Sequence, residues 1–342
     1  MSKKSSALAA AGILAAAVVL SGFSIYKDSH QKNSTDGTIT LRMAQTSSQA
    51  GAIGQSMEAF ADRIYDETEG KYKIETYHNG QLGAEIDTIE GCQMGTIDIA
   101  VVNQSTIGNF INDFQALDIP YLITSTEQAD AVFLGDIGTR FLDKLSGVQL
   151  YGLGIWESGF RNLTNSKRDV NSVDDVAGLK IRTMENSYHL AFWKAIGANP
   201  TPMSFSEVYI GLQQHTIDAQ ENPYEVIVSN NLYEQQDYVV ETNHLPHLIS
   251  LIVNDDFFKA LPEDEQEIMT EAAKIATEYA REQSDARIAD KIATIEESGT
   301  KILTLDDQTR AEIREASKSV YKSIEENIDP AIYNAYMDGI EN

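Results

Sequence analysis

Two strand–helix–strand units follow one another near the start of the chain, and this succession constrains the fold more than any other feature. Apolar residues alternate at positions 39–43 and again at 72–76, as they do in half-buried strands. Helical periodicity occupies positions 52–68 between them, and a second helix is predicted at about 84–94. The next run, 97–103, is mostly apolar, which is typical of a buried parallel strand. The chain is therefore predicted to form an α/β fold with right-handed crossover helices.

A second α/β block begins near Gly159. Its pattern predicts a strand at 179–181, a helix at 188–196 and another strand at 217–220. A helical pattern then occupies positions 263–298, which is far longer than an average helix. The 342 residues suffice for about two domains, and a helix of this length could run across both of them.

The first 37 residues have the layout of an export signal followed by a polar tether. Lys3 and Lys4 precede an apolar run, rich in Ala, Leu and Val, at positions 7–20, and this order is typical of secretory signals. The uncharged stretch at positions 5–26 is just long enough to cross a membrane. An uncleaved signal that tethers the protein to the membrane is therefore the alternative. Phe23 occupies the place where a lipoprotein signal needs a cysteine, which excludes lipidation of this sequence. We therefore expect an exported protein in the periplasm or another extracytoplasmic space.

Charge and cysteine content exclude several classes of function. The formal net charge of −26 speaks against nucleic-acid and anionic-membrane partners. Cys92 is the single cysteine, so an intramolecular disulfide is impossible and a buried, inert thiol is predicted. His244 and His247 lack the intervening Glu of a metalloprotease helix, and we expect solvated loop residues there rather than a metal site. Since we find no phosphate-binding glycine loop, nucleophile elbow or acid–base pair, we predict neither catalytic residues nor a cofactor.

Positive charge is scarce, and two arginines lie in apolar or aromatic surroundings. Arg161 lies where the first block gives way to the second, and Arg182 ends a predicted strand whose alternate residues are apolar. Ligands of open α/β sheets bind outside the carboxyl ends of the strands, which is where we expect Arg182. A guanidinium can bind a carboxylate through two parallel hydrogen bonds. An anion site is therefore one interpretation of these arginines, and a surface ion pair is the other.

Four motifs occur in order along the chain, at 79–83 (Asn-Gly-Gln-Leu-Gly), 178–182 (Gly-Leu-Lys-Ile-Arg), 199–209 and 217–223. With these motifs the chain resembles the solute-binding receptors of tripartite ATP-independent periplasmic (TRAP) transporters, the DctP family. The likeness extends over almost the whole chain from Thr38. It implies a two-lobed, periplasmic-binding-protein-like clamshell with a long helix spanning both lobes.

The predicted lobe boundaries combine this resemblance with the predicted elements. Residues 1–37 are assigned to the signal peptide and tether. Lobe I is predicted at 38–158 plus about 247–286, and lobe II at 159–246 plus about 287–342.

The resemblance also implies which residues contact the ligand. Arg182 is expected to hold the ligand carboxylate, Arg161 to add a second positive contact and Asn222 to hydrogen-bond the same carboxylate. Phe205 is expected to pack against the ligand, and Glu85 to meet its hydroxyl groups. These roles are what the family implies for matching positions, and they define a predicted ligand site.

Asn103, at the end of a predicted strand, bears on the choice of ligand. In sialic-acid receptors, which the chain resembles around 202–223, this position is usually acidic. An amide there weakens a sialic-acid assignment, and together with Glu85 it suggests a hydroxylated sugar acid such as a uronate or an aldonate. Sialic acid and short dicarboxylates stay open.

The predicted function is that of a receptor, not of an enzyme. The resemblance implies that it delivers an organic anion to the small and large membrane subunits of a TRAP permease, driven by an ion gradient and not by ATP. Two alternatives are a receptor of the same fold that serves a sensor kinase, and an exported α/β hydrolase or lyase. The last would need a paired acid and base in the cleft, which the sequence does not show.

Overall fold

A computed structural model describes residues 37–341 of the chain. The predicted signal and tether therefore lie, apart from Gly37, outside the described residues. Among the helices that are described, none combines the length and the apolar character needed to cross a membrane.

Strands and helices alternate along most of the described chain. The strands within residues 37–341 are β1 Ile39–Ala44, β2 Tyr72–Tyr77, β3 Ile99–Asn103, β4 Leu150–Phe160, β5 Asn162–Asn165, β6 Lys180–Thr183, β7 Asn199–Pro202, β8 Ala219–Asn222, β9 Tyr238–Glu241, β10 Pro246–Asn254 and β11 Lys301–Thr304. The α-helices in the same part are α1 Ala52–Glu67, α2 Glu85–Gln93, α3 Gln104–Ile107, α4 Thr126–Phe133, α5 Asp136–Lys144, α6 Ser187–Ala195, α7 Val208–Gln213, α8 Tyr224–Ser229, α9 Asp255–Ala260, α10 Glu263–Ala286, α11 Ile288–Glu297, α12 Asp307–Ala316, α13 Lys318–Glu325 and α14 Pro330–Glu341.

The strands form two separate sheets, with the orders β2-β1-β3-β10-β4 and β11-β9-β5-β8-β6-β7. In the first sheet β1, β2 and β3 are parallel, and β10 runs antiparallel to both of its neighbours. The central strands β3 and β10 are buried along their whole length, which explains their nearly continuous apolar sequences. The predicted α/β class is confirmed.

The chain crosses between the sheets where β4 ends at Phe160 and β5 begins at Asn162. Arg161 is the single residue between these two strands. The chain returns to the first sheet between β9 and β10, where Arg161 N donates to Leu245 O at 2.8 Å. Arg161 is thus held at the crossover by backbone hydrogen bonding.

The long helical pattern at 263–298 forms two helices rather than one. Helix α10 packs against α1 and β4, and α11 packs against α8 and β11, so that together they extend from one sheet to the other. The helix breaks at Arg287, where Lys291 Nζ donates to Ser284 O at 2.9 Å. The helical segment does extend from one sheet to the other, but as two helices, so the predicted continuity to residue 298 is wrong.

The last helix, α14, packs against α4 and α5 on the side of the first sheet. The ring of Tyr336 lies 6.3 Å from that of Phe133 and 5.9 Å from that of Phe141. The predicted boundaries assigned this segment to lobe II, whereas these contacts connect it to helices that precede β4.

Candidate functional site

A cleft lies between the two sheets, and the ends of strands from both sheets reach it. Gln45 follows β1 and Asn103 ends β3 on one side of the cleft. Arg182 lies in β6 and Asn222 ends β8 on the other side. These are the carboxyl ends of the strands, where open α/β sheets bind ligands. The cleft brings together all the predicted contact residues: Arg182, Arg161, Asn222, Phe205, Glu85 and Asn103.

Arg182 is buried, and one edge of its guanidinium is already occupied. Nε and Nη2 both donate to Met203 O, at 2.9 and 2.7 Å. The guanidinium also lies over the ring of Phe205, 5.7 Å from its centroid. Burial lowers the pKa of Arg182 to about 10, so the group stays charged at neutral pH. A carboxylate would therefore meet the Nη1–Nη2 end of the guanidinium, because its Nε–Nη2 edge is taken.

Arg161 is buried and paired with Glu221. Its Nε and Nη2 donate to the two carboxylate oxygens of Glu221 at 2.5 and 2.8 Å, and Nη2 also donates to Glu221 O at 2.7 Å. Arg161 Nη1 is fully buried and has no hydrogen-bond partner among residues 37–341. Arg161 therefore braces the interior through Glu221 and leaves the two N–H bonds of Nη1 for a ligand. The interpretation as a surface ion pair is wrong for both arginines, since neither is exposed.

Glu221 is the centre of a buried polar cluster that sequence reasoning missed. It accepts from His244 Nε2 at 3.1 Å and lies 3.7 Å from His189 Nδ1. His189 Nε2 in turn contacts Asp118 at 3.2 Å. Burial alone would raise the pKa of Glu221, but the charge of Arg161 and the two histidines hold it well below the usual value. The one sequence feature that could have indicated this cluster is the run of polar residues 220–222 at the end of a predicted strand.

His244 and His247 are both buried, so the expectation of solvated loop histidines is wrong. His244 is engaged by Glu221, and its second ring nitrogen contacts Thr242 Oγ1 at 2.9 Å. His247 lines the cleft beside Ile249. Glu221 and Thr242 therefore account for both ring nitrogens of His244.

The wall opposite the arginines carries Glu85 and Asn103. Glu85 accepts from Asn103 N at 2.7 Å and from Thr106 Oγ1 at 2.5 Å, while burial raises the pKa of its carboxyl group. Asn103 Oδ1 accepts from Ser105 N at 2.9 Å and caps α3. Both side chains line the cleft, but their oxygens already have protein partners. The amide nitrogen of Asn103 has none among the described residues.

Asn222 and Phe205 complete the side that carries the arginines. Asn222 Nδ2 donates to Gln220 Oε1 at 2.6 Å, which uses one of its two hydrogens. Phe205 begins a short 3-10 turn, Phe205–Glu207, immediately before α7. The edge strand β7, with the sequence Asn-Pro-Thr-Pro, precedes this turn. The sequence did not predict this strand, because prolines argue against a strand except at the edge of a sheet.

Cys92 is buried, and burial raises the pKa of its thiol, in agreement with the prediction of an inert residue.

Comparisons with known proteins agree with this geometry. The sequence model of the bacterial extracellular solute-binding proteins, family 7 (DctP), matches residues 43–327. A solute-binding protein of Verminephrobacter eiseniae is 35% identical over 271 residues, which are 79% of this chain and 81% of that protein.

Two solved structures give the same result for the fold. The sugar acid binding protein DctPAm of Advenella mimigardefordensis, in complex with galactonate, has a TM-score of 0.86 and 30% identity, and the match covers 89% of this chain and 98% of that one. A TRAP periplasmic solute binding protein of Chromohalobacter salexigens, with bound D-glucuronate, has a TM-score of 0.84 and 29% identity, over 87% of this chain and 99% of that one. The chain therefore belongs to the DctP family of bacterial extracellular solute-binding proteins, and it is the solute receptor of a TRAP transporter.

Proposed function

We propose that this receptor binds a small hydroxylated organic acid, such as a uronate or an aldonate, in the cleft between its sheets. One observation carries the proposal: the side of the cleft with two buried arginines faces a side that carries Glu85, Asn103 and Gln45 and no cationic side chain among the described residues of the cleft. Arg182 and Asn222 suit a carboxylate, because a guanidinium and an amide donate to its oxygens. Gln45 and Asn103, on the opposite side, suit hydroxyl groups, which both accept and donate.

The charge distribution favours a monocarboxylate over a dicarboxylate. A second carboxylate would extend toward Glu85, and no Lys or Arg lines that wall among the described residues of the cleft. Two carboxylates that share a site repel each other. The relatives solved with galactonate and with D-glucuronate support the same class of ligand. Sialic acid, which carries one carboxylate, is the second candidate.

Isothermal titration of the purified protein tests the ligand class. The ligands are D-glucuronate, D-galactonate, sialic acid, succinate and pyruvate. We expect a uronate or an aldonate to bind most tightly. Succinate should bind at least about tenfold more weakly, because its second carboxylate would have no cationic partner, and tenfold corresponds to about 1.4 kcal/mol. Tightest binding of succinate would contradict the proposal for the ligand class. Absence of binding by every acid would contradict carboxylate binding itself.

We further propose that the loaded receptor delivers its ligand to the small and large membrane subunits of a TRAP permease, with no catalytic step and no cofactor. In this proposal the export signal lies within residues 1–37, and the protein works outside the cytoplasmic membrane without a lipid. Proteoliposomes with the membrane subunits should accumulate labelled ligand only when receptor and an ion gradient are both present. Gradient-driven uptake that does not require the receptor would instead favour the sensor-kinase alternative.

The two lobes are proposed to carry one sheet each. The proposed division keeps 38–158 plus about 247–286 as lobe I and 159–246 plus about 287–329 as lobe II. Helix α14 is moved to lobe I because of its contacts with α4 and α5.

A further inference from the structure

His247 lies in the cleft because of the local geometry of β10. Residues 247 and 249 are two apart on one strand, so their side chains share a face, and both line the cleft. The pairing of β10 with β4 shifts at this point, since Pro246 faces Phe160 while Leu248 faces Glu157. The extra residue in β4 is a bulge with Gly159 at a φ of +89°, and bulges of this kind redirect neighbouring side chains.

The imidazole of His247 is a polar group without a protein partner. The residue is only 6% exposed, and its Nδ1 is fully buried with no hydrogen-bond partner among residues 37–341. Leaving such an atom unpaired is costly, so a second molecule is expected to satisfy it. Burial, and then the positive charge of Arg161, hold the pKa of His247 well below its usual value. The ring is therefore neutral at physiological pH, with one nitrogen that donates and one that accepts.

Arg161 Nη1 is a second fully buried nitrogen without a partner among residues 37–341, and Arg161 also lines the cleft. Phe160 pairs with Pro246 in antiparallel strands, so Arg161 and His247 lie on either side of one residue pair. Both residues line the cleft, and the positive charge of Arg161 acts on the imidazole of His247. A carboxylate that accepts from Arg161 would therefore lie in the part of the cleft that His247 also lines.

We propose that His247 determines specificity by hydrogen-bonding the oxygen on the carbon next to the ligand carboxylate, so that the receptor prefers 2-hydroxy acids to their 2-deoxy counterparts. This inference rests on the proposed function. A neutral imidazole serves this purpose better than a cation, because it accepts from or donates to a hydroxyl without attracting a second carboxylate.

Matched pairs of acids test it: gluconate with 2-deoxygluconate, malate with succinate, and lactate with propionate. Affinities are measured by titration calorimetry for the wild type, His247→Phe, His247→Asn and the control Ile249→Val. We expect the wild type to prefer the hydroxylated member by about tenfold or more, the effect of one buried hydrogen bond. His247→Phe should reduce this ratio to within about twofold. His247→Asn should retain most of it, since its amide can replace Nδ1, and Ile249→Val should not change it.

The outcomes separate the two proposals. If an acid binds and its ratio to the deoxy partner is the same in the wild type and His247→Phe, the role of His247 is wrong. The same holds if the wild type does not prefer the hydroxylated member. Because the ratio compares two ligands on one protein, a general loss of stability does not alter it. If none of the six acids binds the wild type while D-glucuronate or D-galactonate does, the role of His247 in preferring 2-hydroxy acids is wrong and carboxylate binding stands. If no acid of either set binds while the fold is intact, carboxylate binding itself is contradicted.

Discussion

Arg161 and Arg182 both line the cleft, but their guanidinium groups have different partners. Arg161 donates to both carboxylate oxygens of Glu221, whose side chain is completely buried. Arg182 donates to a neutral carbonyl, Met203 O, and keeps its Nη1 without a partner among the described residues. Arg161 therefore belongs to the structure as much as to the site, whereas Arg182 forms no ion pair within 4 Å among residues 37–341, although the charges of Glu221 and Glu85 act on it.

This difference predicts that Arg182→Ala affects binding more than folding. A ligand carboxylate in the cleft would lose its main cationic partner, and breaking such a pair costs about 3–5 kcal/mol. The expected loss of affinity is therefore roughly a hundredfold to several thousandfold. Arg182→Lys should also bind much more weakly, because an ammonium lacks the planar fork. The unfolding free energy should fall by no more than about 3 kcal/mol, because the variant leaves only the Met203 carbonyl without its donor.

Titration with the cognate acid and urea denaturation of the same three proteins check this prediction. Affinities within about twofold of one another would contradict it.

Arg161→Ala is predicted to affect folding strongly. It leaves Glu221 buried without its counter-ion, which costs about 3–5 kcal/mol of unfolding free energy. The double variant Arg161→Met/Glu221→Gln removes both charges and should recover part of that loss. Urea denaturation of the wild type, the single and the double variant gives the three values. Equal stability of the wild type and Arg161→Ala would contradict the structural role.

The dependence on pH follows from the same pair. The pKa of Glu221 is lower in the folded protein than its ordinary value of 4.5. Its contribution to stability is therefore fully present above about pH 4.5 and is lost as the pH falls through the lower folded-state pKa. The difference in unfolding free energy between the wild type and Arg161→Met/Glu221→Gln should shrink as the pH falls below about 4.5. A difference that grows toward acid pH would contradict this sign.

Much of the site could be predicted from the sequence because the motifs at 178–182 and 217–223 resemble those of a known family, and the resemblance assigns ligand roles to Arg182 and Asn222. The residues alone left an anion site and a surface ion pair as alternatives for the arginines. Glu221 could not be assigned, since its partner Arg161 is 60 positions away and nothing local indicates their contact. His247 was misinterpreted for the same reason, because its position in the cleft depends on a bulge in another strand.

At the scale of elements, the break between α10 and α11 is the main feature that the sequence did not predict. No Pro or Gly occurs at Arg287, and the helical periodicity continues across it. The interruption is stabilised by Lys291, which donates to Ser284 O and forms an ion pair with Glu225. Glu225 also accepts from Ala52 N, at the start of α1, at 2.7 Å. Tertiary contacts with α1 and α8 therefore determine where the helix breaks.

Lys291→Met is predicted to destabilise the protein through this break. The Lys291–Glu225 pair is nine-tenths buried, so removal of one partner should lower the unfolding free energy by about 3–5 kcal/mol. Lys274→Met, on an exposed position of α10, is the matched control and should change little. Thermal and urea denaturation provide the measurement. Equal stability of Lys291→Met and Lys274→Met would contradict a stabilising role of the buried pair.

At the scale of the whole molecule, polar contacts connect the two sides across the cleft. Asn230 Nδ2 donates to Ser47 Oγ at 3.1 Å, and Asn109 Nδ2 donates to Glu185 O at 2.8 Å. Hydrogen bonds of this kind contribute only about 0.5–1.5 kcal/mol each, so they can break and re-form. Arg161 Nη1 is buried without a partner among residues 37–341, which is a cost that opposes these contacts. The balance between open and closed forms should therefore depend on whether a ligand supplies the missing acceptor.

This balance predicts that ligand closes the molecule. A carboxylate gives the buried guanidinium groups an acceptor in the closed form, so saturating ligand should lower the radius of gyration measured by solution X-ray scattering. It should also raise the melting temperature, since a ligand at 100 times its Kd stabilises the folded state by about 2.7 kcal/mol. Arg182→Ala is the control, and at the same ligand concentration both changes should be at most about half as large as in the wild type, because at least half of its sites stay unfilled. Identical scattering curves for the wild type with and without saturating ligand would contradict closure, even if the melting temperature rose, because binding without movement would produce that combination.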